Sequence, residues 1–156
     1  MTGDVDSADE WSDWLLHVRH ADDPEYERIV RSVVGRYADR VLDNARLAPG
    51  MTLVDIGTGD GLLAFRAIER IGAALRVVLT DISEPMLRHT QASAAQRGVG
   101  AQCRFIHCSA EALAGIEDAS VDVVAARAAV AYVPDKTAAF REFFRVLKPG
   151  GRLAIA

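Results

Sequence analysis

Apolar positions along this chain first recur every three or four residues and later fall into short unbroken runs. Tyr26, Ile29, Val30, Val33, Val34, Tyr37, Val41 and Leu42 follow the helical spacing. Asp23 and Pro24 supply a helix start, and Ala48-Pro49-Gly50 closes the region. Upstream, Trp11, Trp14, Leu15 and Val18 share one face of a shorter helical segment, behind an acidic, polar stretch at 1–10 that reads as frayed. From residue 52 the rhythm changes. Apolar runs at 52–56, 76–81, 102–107 and 121–126, and a last one entered through 149–156, predict strands. Between them lie helical patterns at 61–72, 83–98 and 134–147, and a short helix or turn at 109–116. Gly72 ends the first of these helices; Ser83 caps the second, with Pro85 in its first turn and Gly98 at its end. On the third, Phe140, Phe143, Phe144 and Leu147 are expected to face inward.

Strand and helix in regular alternation predict an α/β fold, a parallel sheet with helices on both faces. Unbroken apolar strands, rather than alternating ones, suit a sheet covered on both sides. The length of 156 residues fits one domain. It divides into an N-terminal helical segment, 1–47, acting as a lid or cap, and an α/β domain, 48–156.

Composition narrows the function classes. A net charge of −4 argues against a nucleic-acid surface. No segment has the basic start and apolar run of a signal peptide, and none approaches the roughly 20 apolar residues of a membrane span. Cys103 and Cys108 are five apart and point to opposite faces of a strand, so they are not expected to pair. A reduced, cytoplasmic setting follows as the expectation.

The chemistry concentrates at Leu53–Gly61, LVDIGTGDG. A buried strand runs into Asp55, and glycine then occupies every second position: Gly57, Gly59 and Gly61. In open α/β sheets ligands sit beyond the carboxyl ends of the strands. Bare backbone lets the chain turn sharply and lets a ligand press against it, and the next helix offers free N–H groups. A nucleotide-like ligand is the reading. The spacing G-x-G-x-G departs from the dinucleotide pattern G-x-G-x-x-G, with Leu62 at the third glycine position. Asp55 would repel a pyrophosphate and suits an ammonium or sulfonium group. Asp81, ending the second strand, is positioned to accept hydrogen bonds from a ribose diol, or else to help Ser83 cap the next helix.

VDIGTGDG, LTDIS, CSAEAL and RVLKPGGRLAIA, in this order, resemble the successive motifs of the class I S-adenosylmethionine-dependent methyltransferases, above all the small-molecule branch with the ubiquinone and menaquinone C-methylases. The resemblance covers about 48–156. It implies a Rossmann-like doubly wound sheet whose strands run 3-2-1-4-5, with S-adenosylmethionine as cofactor and S-adenosylhomocysteine as product. Carried over by position, it assigns the methionine part of the cofactor to Asp55 and the backbone of Gly57, Thr58 and Gly59, beside Gly61. Asp81 takes the ribose, and Ile82 and Met86 sandwich the adenine. Ala110 and Glu111 meet its edge, with Ser109 adjacent. Arg127 faces the cofactor's carboxylate or the substrate mouth; a salt bridge to a neighbouring acid is its other reading.

Methyl transfer from a sulfonium is an in-line displacement with a neutral leaving group, so positioning and exclusion of water dominate. No metal is required, and no metal-ligand constellation stands out. His17 and His20 are base or substrate contacts from a lid, or a solvated pair. Trp14, Tyr26, Tyr37 and Tyr132 are pocket aromatics or core; with Arg127, Tyr132 completes the catalytic candidates. The family sheet carries two further strands, 6 and 7, and this chain supplies five. The open edge of the fifth predicts a second protein chain or self-association. A small organic molecule is the expected substrate. A non-catalytic partner subunit or a methyltransferase-like cyclase is the alternative, and an NAD-dependent oxidoreductase the third.

Overall fold

A computed structural model describes residues 9–19 and 23–156. Two helices precede the sheet: α1, Glu10–Asp13, which runs directly into a π-helical turn at Trp14–Val18, and α2, Pro24–Ala45. Then follow β1 (Thr52–Ile56), α3 (Leu62–Ile71), β2 (Arg76–Asp81), α4 (Glu84–Gln96), β3 (Cys103–His107), β4 (Val121–Ala126), α5 (Lys136–Val146) and β5 (Leu147–Ile155). The sheet is parallel throughout, in the order β3-β2-β1-β4-β5.

The three inner strands, β1, β2 and β4, are apolar on both sides because both sides are covered. Leu53, Val77, Leu79, Val123 and Ala125 pack under α2 and α3 with Val41, Leu42, Phe65 and Ile68. Their sequence neighbours Val54, Ile56, Val78, Val124 and Ala126 form the other core with Leu113, Ala139, Phe143 and Val146. Helix starts are fixed by side chains: the carboxylate of Asp23 accepts from Glu25 and Tyr26 N–H, Ser83 Oγ from Met86 N–H, and Asp135 from Ala138 N–H. Ion pairs from Arg70 to Asp39 and Asp43, at 2.8 and 2.7 Å, tie α3 to α2.

The connection from β3 to β4 holds no helix; 109–116 is a turn with an isolated bridge between Ser109 and Ala112. It is pinned by Arg145 of α5. Its guanidinium donates to the carbonyls of Leu113 and Ile116 and to Asp118, while pairing with Glu142 at 2.8 Å. β5 starts earlier than expected, at Leu147, and bulges at Pro149–Gly151, where the β4 register jumps from Leu147 to Arg152.

The expected inward set on α5 is corrected in part. Phe143 is 1% exposed, but Phe140 is 40% and Phe144 84% exposed. Ala139, Phe143 and Val146 form the buried stripe, and Phe144 is rotated about 100° from Phe143. Among the described residues no strand lies outside β5, and its Leu153 and Ile155 are exposed too. On α2, Tyr26, Ile29 and Tyr37 are likewise exposed; the sheet takes Gly35, Ala38, Val41, Leu42 and Ala45 instead. Cys103 and Cys108 are free thiols. No helix among the described residues is long and apolar enough to cross a membrane.

Candidate functional site

The loop after β1 turns back on itself through three glycines with left-handed backbone, φ +61° at Gly57, +54° at Gly59 and +81° at Gly61. Their reasons differ. A Cβ on Gly61 would lie 2.5 Å from the Phe65 ring and 2.8 Å from Thr90, so this glycine lets α3 and α4 close on the loop. A Cβ on Gly57 would strike Ala129 at 2.5 Å. Gly59 is different: a Cβ there would meet only Leu15, at an ordinary 3.5 Å, so its bare backbone faces a cavity.

Hydrogen bonds hold the crook. Thr58 N–H donates to Thr80 O at 2.9 Å, and Thr90 Oγ1 donates to Gly59 O at 2.6 Å. Asp81 accepts Gly59 N–H on Oδ2 and Ser83 N–H on Oδ1, both at 2.9 Å. Each of its oxygens keeps a further lone pair for a ligand donor. Burial raises its pKa, against the two backbone bonds. Asp55 lies beneath the loop, fully buried, accepting from Thr58 Oγ1 at 2.8 Å. Burial pushes its pKa up to about 7, opposed by the Thr58 bond and the charge of Arg127, with Asp81 adding to the rise.

The crook forms one wall of a cavity of about 340 Å³ beyond the carboxyl ends of β1, β2 and β4. That volume suits a small ligand. Of the residues expected there, Gly57, Thr58, Gly59, Asp81 and Ile82 line it, as do Ser109, Ala110, Arg127 and Tyr132. Asp55 and Gly61 support the loop from behind rather than lining the cavity. Met86 is not part of the lining: it is 0% exposed, packed inside the fold one helical turn past Ser83. Glu111 is turned away as well, accepting Asp135 N–H and Ser109 Oγ and so joining the β3–β4 connection to the start of α5. Tyr26 and Tyr37 do not reach the cavity, and neither does His17, which is exposed on the π-helical turn. His20 lies outside the described residues.

Sequence reasoning missed several wall residues. Trp11, Leu15 and Arg19 come from the N-terminal segment, which lies over the mouth; Trp11 meets Tyr132 edge-to-face at 5.0 Å. Asp60 sits inside the glycine loop and donates its position rather than its fold: Oδ1 accepts Leu62 N–H, and the side chain lines the cavity. Cys108 also lines it, but burial holds its thiol up at about 11, which makes it a poor nucleophile. Among the described residues no cluster of three His, Cys, Asp or Glu could hold a metal.

This geometry coincides with a family match. The family described as a methyltransferase domain matches residues 54–155. Nocamycin O-methyltransferase of Saccharothrix syringae is 39% identical over 118 residues, covering 76% of this chain and 41% of that protein. The ubiquinone/menaquinone biosynthesis C-methyltransferase UbiE of Idiomarina loihiensis is 36% identical over 114 residues, covering 73% and 45%. Among solved structures, a geranyl diphosphate methyltransferase in complex with SAM superposes with a TM-score of 0.76 at 27% identity, covering 86% of this chain and 54% of that one. The [4+2]-cyclase SpnF does so with a TM-score of 0.72 at 28% identity, covering 78% and 43%. The chain thus spans less than half the length of these two curated relatives.

Proposed function

Because the chain belongs to the methyltransferase-domain family, we propose that it is an S-adenosylmethionine-dependent methyltransferase, or the cofactor-binding portion of one, acting on a small organic molecule. The observation that carries the reading is the convergence of a bare crook, Gly57–Gly59, and Asp81 on one cavity edge, with Asp55 buried directly beneath the crook. The residues fit the group. Backbone at Gly59 is open to contact, Asp81 has free lone pairs for a diol, and Asp55 is a buried carboxylate beside Arg127. Bound S-adenosylmethionine would supply a sulfonium methyl for in-line displacement by the acceptor.

The chain's own part is positioning. Asp81 holds the ribose while fixing Gly59 and Ser83. Asp55 balances the ammonium, and Arg127 the carboxylate, of the amino-acid end. Ile82, Ser109 and Ala110 form the adenine side. The segment 9–19 serves as a lid that excludes water over the reacting atoms, and α2 joins it to the domain that starts at residue 48.

Calorimetry with S-adenosylhomocysteine and NAD, side by side, tests this. Micromolar binding of the first and none of the second is expected; the reverse would replace the reading with a nicotinamide oxidoreductase. A cyclase-like use of the same fold is the second reading, favoured by the likeness to SpnF. Transfer of label from methyl-labelled S-adenosylmethionine to an acceptor separates the two. We also propose that a strand of a second chain, or of a second copy, pairs along β5, because that strand ends the sheet among the described residues and leaves Leu153 and Ile155 exposed.

A further inference from the structure

Two guanidiniums line the cavity, and neither has a hydrogen bond or ion pair among the described residues. They enter from opposite sides: Arg127 follows β4, and Arg19 ends the π-helical turn of the N-terminal segment. They are close enough to repel, and Arg19 has its pKa lowered first by burial and then by the charge of Arg127. Asp60 attracts it, and Arg31, itself paired with Glu27 at 2.7 Å, repels it. Neither guanidinium is hydrogen-bonded to the two acids that line the same cavity, Asp60 and Asp81, so both keep free N–H donors for an anionic ligand.

The donor accounts for only one of them. Its amino-acid end brings one ammonium and one carboxylate, complementary to Asp55 and Arg127, which already interact. Arg19 is left over, and its surroundings are aromatic. Its Cζ lies 5.8 Å from the Trp14 ring centroid, and Trp11 and Tyr132 meet across the same mouth. All three rings line the cavity, yet Trp11 is 37%, Trp14 46% and Tyr132 65% exposed. Large aromatics left open around a cavity give a stacking surface with little entropy to lose on binding.

We propose that Arg19 and the rim of Trp11, Trp14 and Tyr132 bind the methyl acceptor, and that this acceptor is a planar ring compound carrying an anionic oxygen group; the inference rests on the methyltransferase reading. The rings stack on the acceptor's face. The guanidinium pairs with its anionic oxygens through parallel N–H donors, a geometry that lysine cannot supply in full.

The test uses 2-naphthoate and 2-naphthamide, titrated calorimetrically into the chain saturated with S-adenosylhomocysteine. The acid should bind at least tenfold more tightly than the amide. Arg19→Gln should abolish that preference and Arg19→Lys should keep part of it, both with S-adenosylhomocysteine affinity within twofold of the unsubstituted chain and an unchanged circular dichroism spectrum. Equal binding of acid and amide, or binding of neither, overturns the proposal. So does a tenfold loss of S-adenosylhomocysteine affinity in Arg19→Gln with the acid preference intact, which would assign Arg19 to the donor. A chain that takes up no S-adenosylhomocysteine at all sinks the methyltransferase reading itself, a result distinct from an intact donor site without acid preference.

Discussion

Replacing Asp55 with Asn should make the protein more stable at pH 8 and less able to hold its cofactor. The carboxyl has a folded pKa of about 7 against 3.8 for the free group, because burial disfavours its charge. Between those values the native state holds a proton that the unfolded chain releases. Stability from this group therefore falls as pH rises from about 4 to 7, and is lowest above 7. Three units at about 1.4 kcal/mol each give a cost of about 4 kcal/mol at pH 8. An Asn of the same shape avoids that cost and still accepts from Thr58 Oγ1. Its NH2 needs an acceptor that the carboxylate did not, which takes back about 1–3 kcal/mol. The net expectation is a gain of about 1–3 kcal/mol at pH 8 that turns into a loss of about 1–3 kcal/mol at pH 4, where the buried carboxyl is already neutral. Urea unfolding followed by circular dichroism, for both chains at pH 4, 5, 6, 7 and 8, measures the difference. A difference that stays flat with pH, or grows in the opposite direction, refutes the reasoning. The same substitution should weaken S-adenosylmethionine binding above pH 7, where the ionised carboxylate would have balanced the ammonium. Stability would then have been given up for function at this position.

Asp81→Ala should lower S-adenosylhomocysteine affinity by about 1–3 kcal/mol, read by calorimetry, because two diol hydrogen bonds go and Gly59 and Ser83 lose their acceptor. Gly61→Ala should destabilise by more than about 2 kcal/mol in urea, since strain at φ +81° adds to a Cβ 2.5 Å from Phe65; Gly98→Ala, at φ +71° with open space, should cost about 1 kcal/mol. Phe144→Ser should leave stability within about 0.5 kcal/mol but reduce self-association in sedimentation velocity, because Phe144 is 84% exposed on α5 near the likewise exposed Phe140. An unchanged sedimentation profile would count against association through that face.

The sheet and its order followed from alternation and motif succession because a parallel strand announces itself as an unbroken apolar run, and TLVDI and RVVLTD are such runs. The glycine loop was legible for a similar reason: few sequences other than a ligand-facing turn call for Gly57 and Gly59 so close to an acid. Met86 and Phe144 were not, and for one cause. A helix pattern gives the period of its apolar residues but not which stripe the sheet will take. Met86 fell inside the stripe that α4 buries, while Phe144 fell outside the one on α5. Glu111 falls outside the cavity lining because its carboxylate binds the start of α5, 24 residues further along, which no local pattern announces. Arg19 carried no local signal; only the folding of the N-terminal segment over the mouth brings it to the cavity.

Arg145 gives the long passage from β3 to β4 a peculiar dependence. Helical crossovers hold their own shape through internal bonds, whereas this one adds to its few tight turns a set of bonds to residues that come later in the chain. Leu113 N–H and the carbonyls of Leu113 and Ile116 all terminate on Glu142 and Arg145, and Ala119 and Ser120 N–H donate to the backbone of Arg145 and Val146. Opening of α5 therefore also releases the bonds that fix Leu113, Ile116, Ala119 and Ser120. One guanidinium thus couples the local opening of two segments that are separate in sequence.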